Sequence, residues 1–386
     1  MQPGQAGQPV QPGQPDGAPP VRIAIAGTGN IAGVHAAALR GLPGAELVGA
    51  ADIDRPRLAA FGAEHRLTDL HTDLAGLLAA AQPDLVHLCT PPALHFEQAG
   101  QCLAAGASVL AEKPPTLSLR ELDLLADLTR PGGPWFATVF QHRFGSAAGR
   151  LRALAGSGVL GRPLLAICHT TWFRDQAYFD VPWRGRWQTE GGGPTMGHGI
   201  HQMDLLRYVL GDWAEISAIA RRQARRTETE DLSMAHVIFA SGAAASVVNS
   251  VLSPREESYL RFDFEHGTVE VSHLYGYRDE DWRVTPAPGH EKAVLAAWPQ
   301  PTAGRRPQPT AGTPSGHRAQ FAAVLAALRA AAAPPVTLPD SRGTMSLVAG
   351  LYAAAFGGGV VRPADLGAGS PCYDRMDGLA PGWEQW

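Results

Sequence analysis

The chain has 386 residues, of which 45% are hydrophobic and 18% are charged, and its formal net charge at pH 7 is −4. At roughly 100 to 200 residues per domain, this length predicts about two domains with a packed core. The near-neutral charge excludes the strongly basic character of nucleic-acid-binding proteins and of proteins that bind anionic membranes, so we expect neither partner.

The sequence favours a cytoplasmic protein. The first twenty residues are rich in Gln, Pro and Gly, lack the basic and apolar segments of a signal peptide, and predict a disordered tail. No apolar run reaches the about 20 residues of a membrane-spanning helix, and the Ala-rich residues 322–333 predict a packed helix. The cysteines show no CxxC spacing and are expected to be reduced; they are Cys89, Cys102, Cys168 and Cys372.

Residues 21–32, VRIAIAGTGNIA, predict a strand, a glycine turn and the start of a helix. The turn has the GxGxxA pattern of a dinucleotide fingerprint. Gly27 allows the tight turn, Gly29 lets the backbone approach a pyrophosphate, and Ala32 permits close packing of helix against strand. The N-terminus of the helix offers free N–H groups to the phosphates. The predicted cofactor contacts here are Gly27, Thr28, Gly29, Asn30 and Ile31.

The second predicted strand, residues 45–51, ends at Asp52, where an acidic side chain meets the ribose hydroxyls of a dinucleotide. A carboxylate at this position favours NAD and repels a 2′-phosphate. Arg55 and Arg57 follow closely and could accommodate that phosphate, so NADP stays open. A second interpretation is that Asp52 only caps the end of the strand.

Two further strand ends carry polar residues. The apolar strand of residues 84–90 follows a helix predicted over residues 69–81, and the strand of residues 107–111 ends at Glu112 and Lys113. Ligands of open α/β sheets bind beyond the carboxyl ends of strands, which places these segments beside the cofactor. A lone lysine is usually a solvated surface residue, but Lys113 lies at a strand end and is followed by two prolines that stiffen its backbone. The predicted cofactor contacts are Thr90, Pro91, Pro92, His95, Glu112 and Lys113.

The second half begins with a strand predicted over residues 164–172 and a segment rich in aromatic rings and arginines. Aromatic faces beside charged groups suit a pyranose, which has apolar C–H faces and a ring of hydroxyls, so we expect Trp172, Arg174 and Tyr178 to contact substrate. The same residue types are common at subunit contacts, which is the alternative. Short strands after residue 214 predict an antiparallel sheet, and residues 299–314 predict a mobile loop.

Residues 191–212, GGGPTMGHGIHQMDLLRYVLGD, predict a glycine turn that lets the backbone approach a ligand, followed by a helix. At about 100° per residue, His198, His201 and Asp204 fall within one stripe of roughly 120° and are predicted to converge on one place. Two alternatives remain for this stretch alone. The histidines could be hydrogen-bonded residues of a core helix, or the three side chains could bind a divalent metal such as zinc or manganese.

Four motifs occur along the chain in this order: GTGNIA, TPPALH, AEKP and GGGxxxxxGIHQMD. Together they resemble the glucose-fructose oxidoreductase and inositol dehydrogenase family, Gfo/Idh/MocA, over about residues 21–365. The resemblance implies an α/β fold, with an N-terminal Rossmann parallel sheet and a C-terminal α/β domain that has an open, mainly antiparallel sheet. We therefore expect a tail over residues 1–20, an NAD(P)-binding domain over residues 21–142, and a substrate-binding and oligomerisation domain over residues 143–386.

The resemblance also implies an activity: NAD(P)-dependent transfer of hydride to or from a sugar, cyclitol or related polyol. In that family the EKP lysine and the GxH histidine line the nicotinamide and the substrate, which gives Lys113 and His201 as the catalytic pair. His201 would be the acid/base and Lys113 its electrostatic partner. Arg143 corresponds to an arginine near the site that could hold cofactor or substrate, although an ordinary surface arginine is the alternative. A homo-oligomer, dimer or tetramer, is expected as well.

The sequence departs from the family at Gly197, where an Asp commonly stands four residues before the histidine. The adjacent His198 could replace it, either by hydrogen bonding to the substrate or by sharing the proton load. The departure leaves two other functions open. One is an NAD-dependent glycosidase that oxidises a sugar carbon transiently and eliminates the glycosidic bond; the other is a cofactor-bound sensor without catalysis.

Overall fold

The computed structural model describes residues 19–298 and 312–383. The tail predicted over residues 1–20 lies outside the described residues except for 19 and 20, and so does the loop predicted over residues 299–314 except for 312–314. Two sheets organise the described residues, a parallel one of six strands and a mixed one of seven. The predicted α/β class with these two kinds of sheet is confirmed.

The first sheet has the strand order β3-β2-β1-β4-β5-β6, and all its pairings are parallel. Its strands are β1 (Val21–Ala26), β2 (Ala45–Ala51), β3 (Leu70–His71), β4 (Leu85–Leu88), β5 (Ser108–Ala111) and β6 (Phe136–Thr138). The helices between them are α1 (Asn30–Leu39), α2 (Arg55–His65), α3 (Leu74–Ala81), α4 (His95–Ala104) and α5 (Leu119–Leu128). The central strands β1, β4 and β5 are mostly apolar and buried because helices cover both faces of the sheet.

The order of this sheet decides where a ligand can bind. β1 has β2 on one side and β4 on the other, so the chain reverses its direction of winding beside β1. In open α/β sheets a crevice forms at this switch point, outside the carboxyl ends of the strands. The predicted segments after β1, β2, β4 and β5 therefore lie along one edge of the sheet.

The helix predicted over residues 69–81 is wrong at its start. Leu70 and His71 pair with β2 as a short strand, and α3 begins only at Leu74. The side chain of Asp73 accepts a hydrogen bond from the backbone N–H of Gly76 at 2.7 Å, which caps the helix. The helical pattern upstream of Asp73 is therefore overridden by strand pairing and by this cap.

The second sheet has the order β13-β12-β11-β7-β10-β9-β8, and only the β7–β10 pairing is parallel. Its strands are β7 (Pro163–Phe173), β8 (Trp213–Arg221), β9 (Leu232–Phe239), β10 (Ala244–Ser250), β11 (Leu252–Phe264), β12 (Gly267–Ser272) and β13 (Trp282–Pro286). Burial alternates along β9, so one face of the sheet is covered and the other is exposed.

The remaining helices are α6 (Ser146–Ser157), α7 (Gln176–Phe179), α8 (Ile200–Leu210), α9 (Glu291–Ala297), α10 (His317–Arg329), α11 (Leu338–Gly357) and α12 (Pro371–Asp374). α10 returns to the first sheet: Phe321, Val324 and Leu325 share a buried cluster with Val21 and Ile23 of β1. The division at residue 142 stays a prediction, and this late helix belongs to the core of the earlier segment.

Within the described part of the chain, every helix is too short or too polar to cross a bilayer. The Ala-rich residues 322–333 lie largely in α10, which packs against β1 and α1. All four cysteines are buried and free.

Candidate active site

The glycine run that precedes α8 packs closely against other segments of the protein. A Cβ atom at Gly192 would lie 2.2 Å from the Tyr352 hydroxyl, and one at Gly193 would lie 1.8 Å from the carbonyl oxygen of Glu230. Gly191 has a positive φ of 83°, which favours glycine. The prediction that these glycines let the backbone approach a ligand is wrong, since their close neighbours are buried protein groups.

The predicted convergence of His198, His201 and Asp204 is wrong for Asp204, whereas both histidines lie within the electrostatic reach of Lys113. Residues Thr195–Gly199 form a π-helical turn, and the regular α-helix begins only at Ile200. The constant angle of about 100° per residue therefore does not hold across this stretch. Each of the three side chains has different immediate neighbours. The three do not form a common metal site.

Asp204 is fully buried and paired with Arg143. The guanidinium donates two hydrogen bonds to the carboxylate, Nε to Oδ2 at 2.7 Å and NH2 to Oδ1 at 2.5 Å. Asp204 Oδ1 also accepts from the Thr344 hydroxyl at 2.8 Å, and Arg143 NH1 lies 3.2 Å from Asp340 Oδ1. Arg143 is thus engaged by two carboxylates and ties α8 to α11, so we do not propose it as a cofactor or substrate ligand.

His201 lies in the first turn of α8 and is 4% exposed. Neither of its ring nitrogens has a hydrogen-bond partner. Its ring centroid lies 5.0 Å from that of His142 and 6.0 Å from that of Tyr275. Burial, followed by the positive charge of Lys113, holds the pKa of His201 well below 6.5. A neutral imidazole with two unused nitrogens can accept a proton.

Lys113 follows β5, and its ammonium donates a hydrogen bond of 2.6 Å to the carbonyl oxygen of Gly197 in the π-helical turn. Burial lowers the pKa of Lys113, although the carboxylates of Glu112 and Glu190 act in the opposite direction. The structure thus brings together Lys113 and His201, which the sequence places 88 residues apart. They meet where the edge of the first sheet faces the start of α8.

His198 is 9% exposed and lies among aromatic rings. Its ring centroid is 5.0 Å from that of Trp172 and 5.8 Å from that of Tyr178. The guanidinium of Arg174 lies over the Trp172 ring at 4.9 Å and also pairs with Glu256 at 3.0 Å. The predicted substrate residues Trp172, Arg174, Tyr178 and His198 therefore form one wall beside Gly197.

Glu112 lies behind the cleft, against α1 and α10. Its Oε1 is 2.9 Å from His35 Nε2 and 3.5 Å from His317 Nε2. Burial opposes ionisation, but the contacts with His317 and His35 hold the pKa of Glu112 well below its usual range. The possible ligand atoms of these three residues lie within 4.8 Å of one another, a spacing that would allow them to hold a metal ion. A neutral His35 donating to an ionised Glu112 accounts for the 2.9 Å contact without one.

Both ring nitrogens of His95 lie close to backbone carbonyl oxygens. Nδ1 lies 2.9 Å from the carbonyl oxygen of Pro114, and Nε2 lies 2.9 Å from that of Thr90. The residue is fully buried. His95 therefore joins the loop after β4 to the loop that carries Lys113, and we assign it and Glu112 to positioning rather than to direct contact with a cofactor.

The turn after β1 has the shape that a dinucleotide requires. Gly27 has a positive φ of 84°, and a Cβ atom there would lie 2.8 Å from the backbone of Cys89, so the turn packs against the end of β4. Gly29 has no atom within 4 Å of the position of a Cβ. No side chain caps the start of α1, where Asn30 is exposed and Ile31 half-buried. Open space in front of uncapped N–H groups fits a pyrophosphate.

Asp52 lies at the end of β2, as predicted, but its carboxylate is already bonded. It accepts from the backbone and hydroxyl of Thr28 at 2.7 and 2.9 Å, and from Arg57 at 2.7 and 3.0 Å. Burial acts to raise the pKa of Asp52, but these hydrogen bonds outweigh it and lower the pKa to about 2. The Arg57 side chain is 48% exposed and Ile53 is 88% exposed, so both can face a bound nucleotide.

Replacing Arg57 with alanine is expected to change the choice of cofactor. The guanidinium is an exposed cation beside Asp52, and a 2′-phosphate bound there would gain a charge-assisted hydrogen bond from it. Arg57→Ala should weaken NADP binding by on the order of tenfold, or about 1.4 kcal/mol, and should not weaken NAD binding. Titration calorimetry with both nucleotides measures this. Equal losses for NAD and NADP would contradict the assignment.

Sequence reasoning missed several residues of the cleft. Tyr275 has its hydroxyl bonded to Gln141 and its ring beside His142 and His201, but it lies in a loop with no recognisable motif. Glu190 lies directly before the glycine run and was not singled out. Glu190 stands out because its carboxylate is buried in the folded structure. The sequence alone does not reveal this burial.

Two family models match the chain. Residues 21–134 match the oxidoreductase family with an NAD-binding Rossmann fold, and residues 149–270 match the GFO/IDH/MocA C-terminal domain. The D-glucoside 3-dehydrogenase of Escherichia coli is 33% identical over 196 residues, which are 50% of this chain and 54% of that protein. A putative UDP-kanosamine synthase oxidoreductase subunit of Amycolatopsis mediterranei is 28% identical over 80% of this chain and 88% of its own length.

The fold comparison extends further than the sequence matches. The chain spans about half the length of several curated relatives that it matches. The WlbA dehydrogenase of Bordetella pertussis, solved with NADH and UDP-GlcNAcA, superposes with a TM-score of 0.74 at 25% identity, covering 89% of this chain and 98% of that one. From the two family models and these relatives, the chain belongs to the Gfo/Idh/MocA family of oxidoreductases and carries that family's NAD-binding Rossmann domain.

Proposed function

We propose that the protein transfers hydride between a nicotinamide cofactor and a hydroxyl-bearing carbon of a sugar, cyclitol or related polyol. The observation that carries this proposal is the state of His201: it is buried, both ring nitrogens are unpaired, and Lys113 is close enough for its charge to lower the pKa of the ring. A buried polar group without partners costs free energy, and a substrate hydroxyl would supply the missing partner.

The residues divide the chemistry between them. Gly29, the start of α1 and the Asp52–Arg57 pair would hold the nucleotide, and NAD when bound accepts or returns a hydride. In the oxidation direction, His201 takes the hydroxyl proton on an unpaired ring nitrogen. The Lys113 ammonium stabilises the negative charge that develops on the same oxygen. The burial of His201 and the partial burial of Lys113 limit access of water and strengthen this electrostatic effect.

The surroundings of His198 support a sugar-type substrate. The rings of Trp172 and Tyr178 offer apolar faces, and Arg174 and Arg184 offer hydrogen-bond donors beside them. Two relatives have names that point in the same direction, D-glucoside 3-dehydrogenase and a dehydrogenase solved with UDP-GlcNAcA.

The test is a screen of polyols, aldoses and glycosides with NAD and with NADP, followed at the nicotinamide absorbance and by product analysis. Steady formation of NADH or NADPH with an oxidised sugar is the expected result. Cleavage of a glycoside without net reduction of the cofactor would show a glycosidase instead. Cofactor binding with no turnover of any kind would favour a sensor.

We further propose that the protein forms a homo-oligomer through the open face of the second sheet. Ile219 of β8 pairs with Met234 of β9, and the two side chains are 46% and 42% exposed. Ile238 of β9 and Leu165 of β7 are 40% and 43% exposed on the same sheet. Several exposed apolar side chains on one sheet support its use as an interaction site.

A further inference from the structure

Gly197 differs from the glycines around it. A Cβ atom at Gly199 would lie 1.9 Å from Asn249 Oδ1, Cβ atoms at Gly192 and Gly193 would meet protein atoms at 2.2 and 1.8 Å, and Gly191 has a positive φ. At Gly197 the nearest atom to a Cβ would be Glu190 Oε1 at 3.5 Å, an ordinary van der Waals distance. A side chain would therefore fit at residue 197, and it would point toward the Glu190 carboxylate.

That carboxylate is buried and held in place. Glu190 is 4% exposed; its Oε2 accepts from the backbone N–H of Gly185 at 2.6 Å, and its Oε1 accepts from Arg184 NH1 at 3.1 Å. Burial raises the pKa of Glu190, and the bond to Gly185 and the charges of Arg184 and Lys113 oppose that rise. A buried carboxylate requires positive partners of this kind.

Gly197 also contacts Lys113, because the Lys113 ammonium donates a hydrogen bond to the carbonyl oxygen of Gly197. Lys113 and Glu190 thus flank one glycine. The charged and titratable groups around Lys113 come from each element packed against it: Glu112 from its own loop, Arg184 and Glu190 from the loop before the glycine run, His198 from the π-helical turn and His201 from α8. Glu112 is committed to His35 and His317, which leaves Glu190 as the carboxylate on the cleft side.

We propose that Glu190 is the carboxylate partner of Lys113 in the active site, filling from the preceding loop the place where residue 197 has no side chain. This inference deepens the proposed function and rests on it for its catalytic meaning. Glu190 is a positioning residue: it keeps Lys113 protonated beside the reacting oxygen and balances Arg184.

Removing the negative charge has a defined consequence. In Glu190→Gln the shape of the side chain is kept, but Arg184 loses its counter-charge and lowers the pKa of Lys113 further. If the ammonium form is the active one, the alkaline limb of kcat/KM should move to lower pH by about one unit, with about a tenfold loss of kcat/KM on that limb. KM for the cofactor should stay unchanged, since Glu190 lies on the substrate side.

Gly197→Asp should have opposite effects in two backgrounds. In the wild-type chain it places a second carboxylate against Glu190, so repulsion should lower both activity and melting temperature. In the Glu190→Gln background it restores one negative charge beside Lys113 and should return the alkaline limb to its wild-type position. A change of sign of this kind is a coupling between the two positions, which a double-mutant cycle isolates.

The pKa of Lys113 can be measured without any substrate. The chain has only two lysines, Lys113 and Lys292, so a protein labelled with 13C at lysine Cε gives two side-chain signals, assigned with Lys292→Arg. The Lys113 signal should titrate at lower pH in Glu190→Gln and at the wild-type pH in Glu190→Gln/Gly197→Asp. Glu190→Asp, which keeps a carboxylate, is the second variant and should shift it less than Glu190→Gln.

Glu265→Gln is the matched control. Glu265 also accepts hydrogen bonds from a backbone N–H and from an arginine, both of Arg162 at 2.9 Å, but it lies at the turn between β11 and β12. This variant should leave the Lys113 signal and the alkaline limb where they are. Glu190 variants that lower activity equally at all pH values, without a Lys113 shift or rescue by Gly197→Asp, would overturn the proposal. A Lys113 shift with rescue in a protein that oxidises no sugar would uphold the pairing and reject the proposed function.

Discussion

Replacing His201 with alanine should lower kcat by about 10²- to 10⁴-fold, the range that a positioned general base contributes. The variant has no group on α8 that can take the hydroxyl proton, while the turn at Gly29 and the Asp52–Arg57 pair remain intact. Steady-state kinetics on the substrate found by the screen should show the loss in kcat, and NAD affinity measured by calorimetry should be unchanged.

His266→Ala is the control for this variant. The His266 ring stacks on His290 at 3.9 Å and contacts no residue of the site, so kcat should be unchanged. A His201→Ala protein that keeps the wild-type kcat would reject His201 as the acid/base.

The pH dependence gives a second signature of the same site. Because burial and then Lys113 hold the pKa of His201 well below 6.5, the base stays unprotonated as the pH falls through that value, and the acid limb of kcat/KM should lie below it. Lys113→Ala removes one positive charge and should move this limb to higher pH, besides lowering kcat by about 10²-fold or more. An acid limb that does not move in Lys113→Ala would show that the charge of Lys113 does not influence the pKa of His201.

Replacing Asp204 with alanine should be the most destabilising change at the site. It leaves the buried Arg143 guanidinium without its bidentate partner and removes the acceptor of Thr344. Breaking a buried pair from one side costs about 3–5 kcal/mol. The remaining contact to Asp340 at 3.2 Å places the expected loss near the lower end of that range. Urea unfolding followed by fluorescence gives the free energy.

Asp212→Ala provides the comparison. Asp212 follows the same helix and pairs with Arg207 at 2.7 Å, but its side chain is 77% exposed. An exposed pair is worth about 0–1 kcal/mol, so this variant should unfold almost like the wild type. Equal losses in Asp204→Ala and Asp212→Ala would show that burial does not control the strength of the Arg143–Asp204 pair.

The strands, the first turn and Lys113 could be predicted from sequence because their signals are local. An apolar run followed by Gly27 and Gly29 can only be a strand and a tight turn, and the polar residues after β2, β4 and β5 meet because parallel strands share one edge. The resemblance to a family then selected Lys113 and His201 from among other polar residues.

The misplaced parts of the site depend on contacts distant in sequence. A helical stripe predicted that Asp204 faces the histidines. The π-helical turn breaks the periodicity only at His198, and Arg143 engages the Asp204 carboxylate from another element. The glycine run is predicted to approach a ligand, but Gly193 within it faces the backbone of Glu230. No local pattern shows that Glu190 comes to lie beside Gly197, since that depends on how its loop folds back.

The return of α10 to the first sheet has a consequence for how the chain is made. Phe321, Val324 and Leu325 cover Val21 and Ile23, and His317 lies behind Glu112, which precedes Lys113. When the first sheet leaves the ribosome, the apolar surface that α10 covers in the folded protein is therefore still exposed to solvent. The loop that carries Lys113 likewise lacks its contact with His317 until the chain has been synthesised through α10. The first sheet is therefore not a self-contained module: the chain must be synthesised through α10 before the loop that carries Lys113 has all of its packing partners.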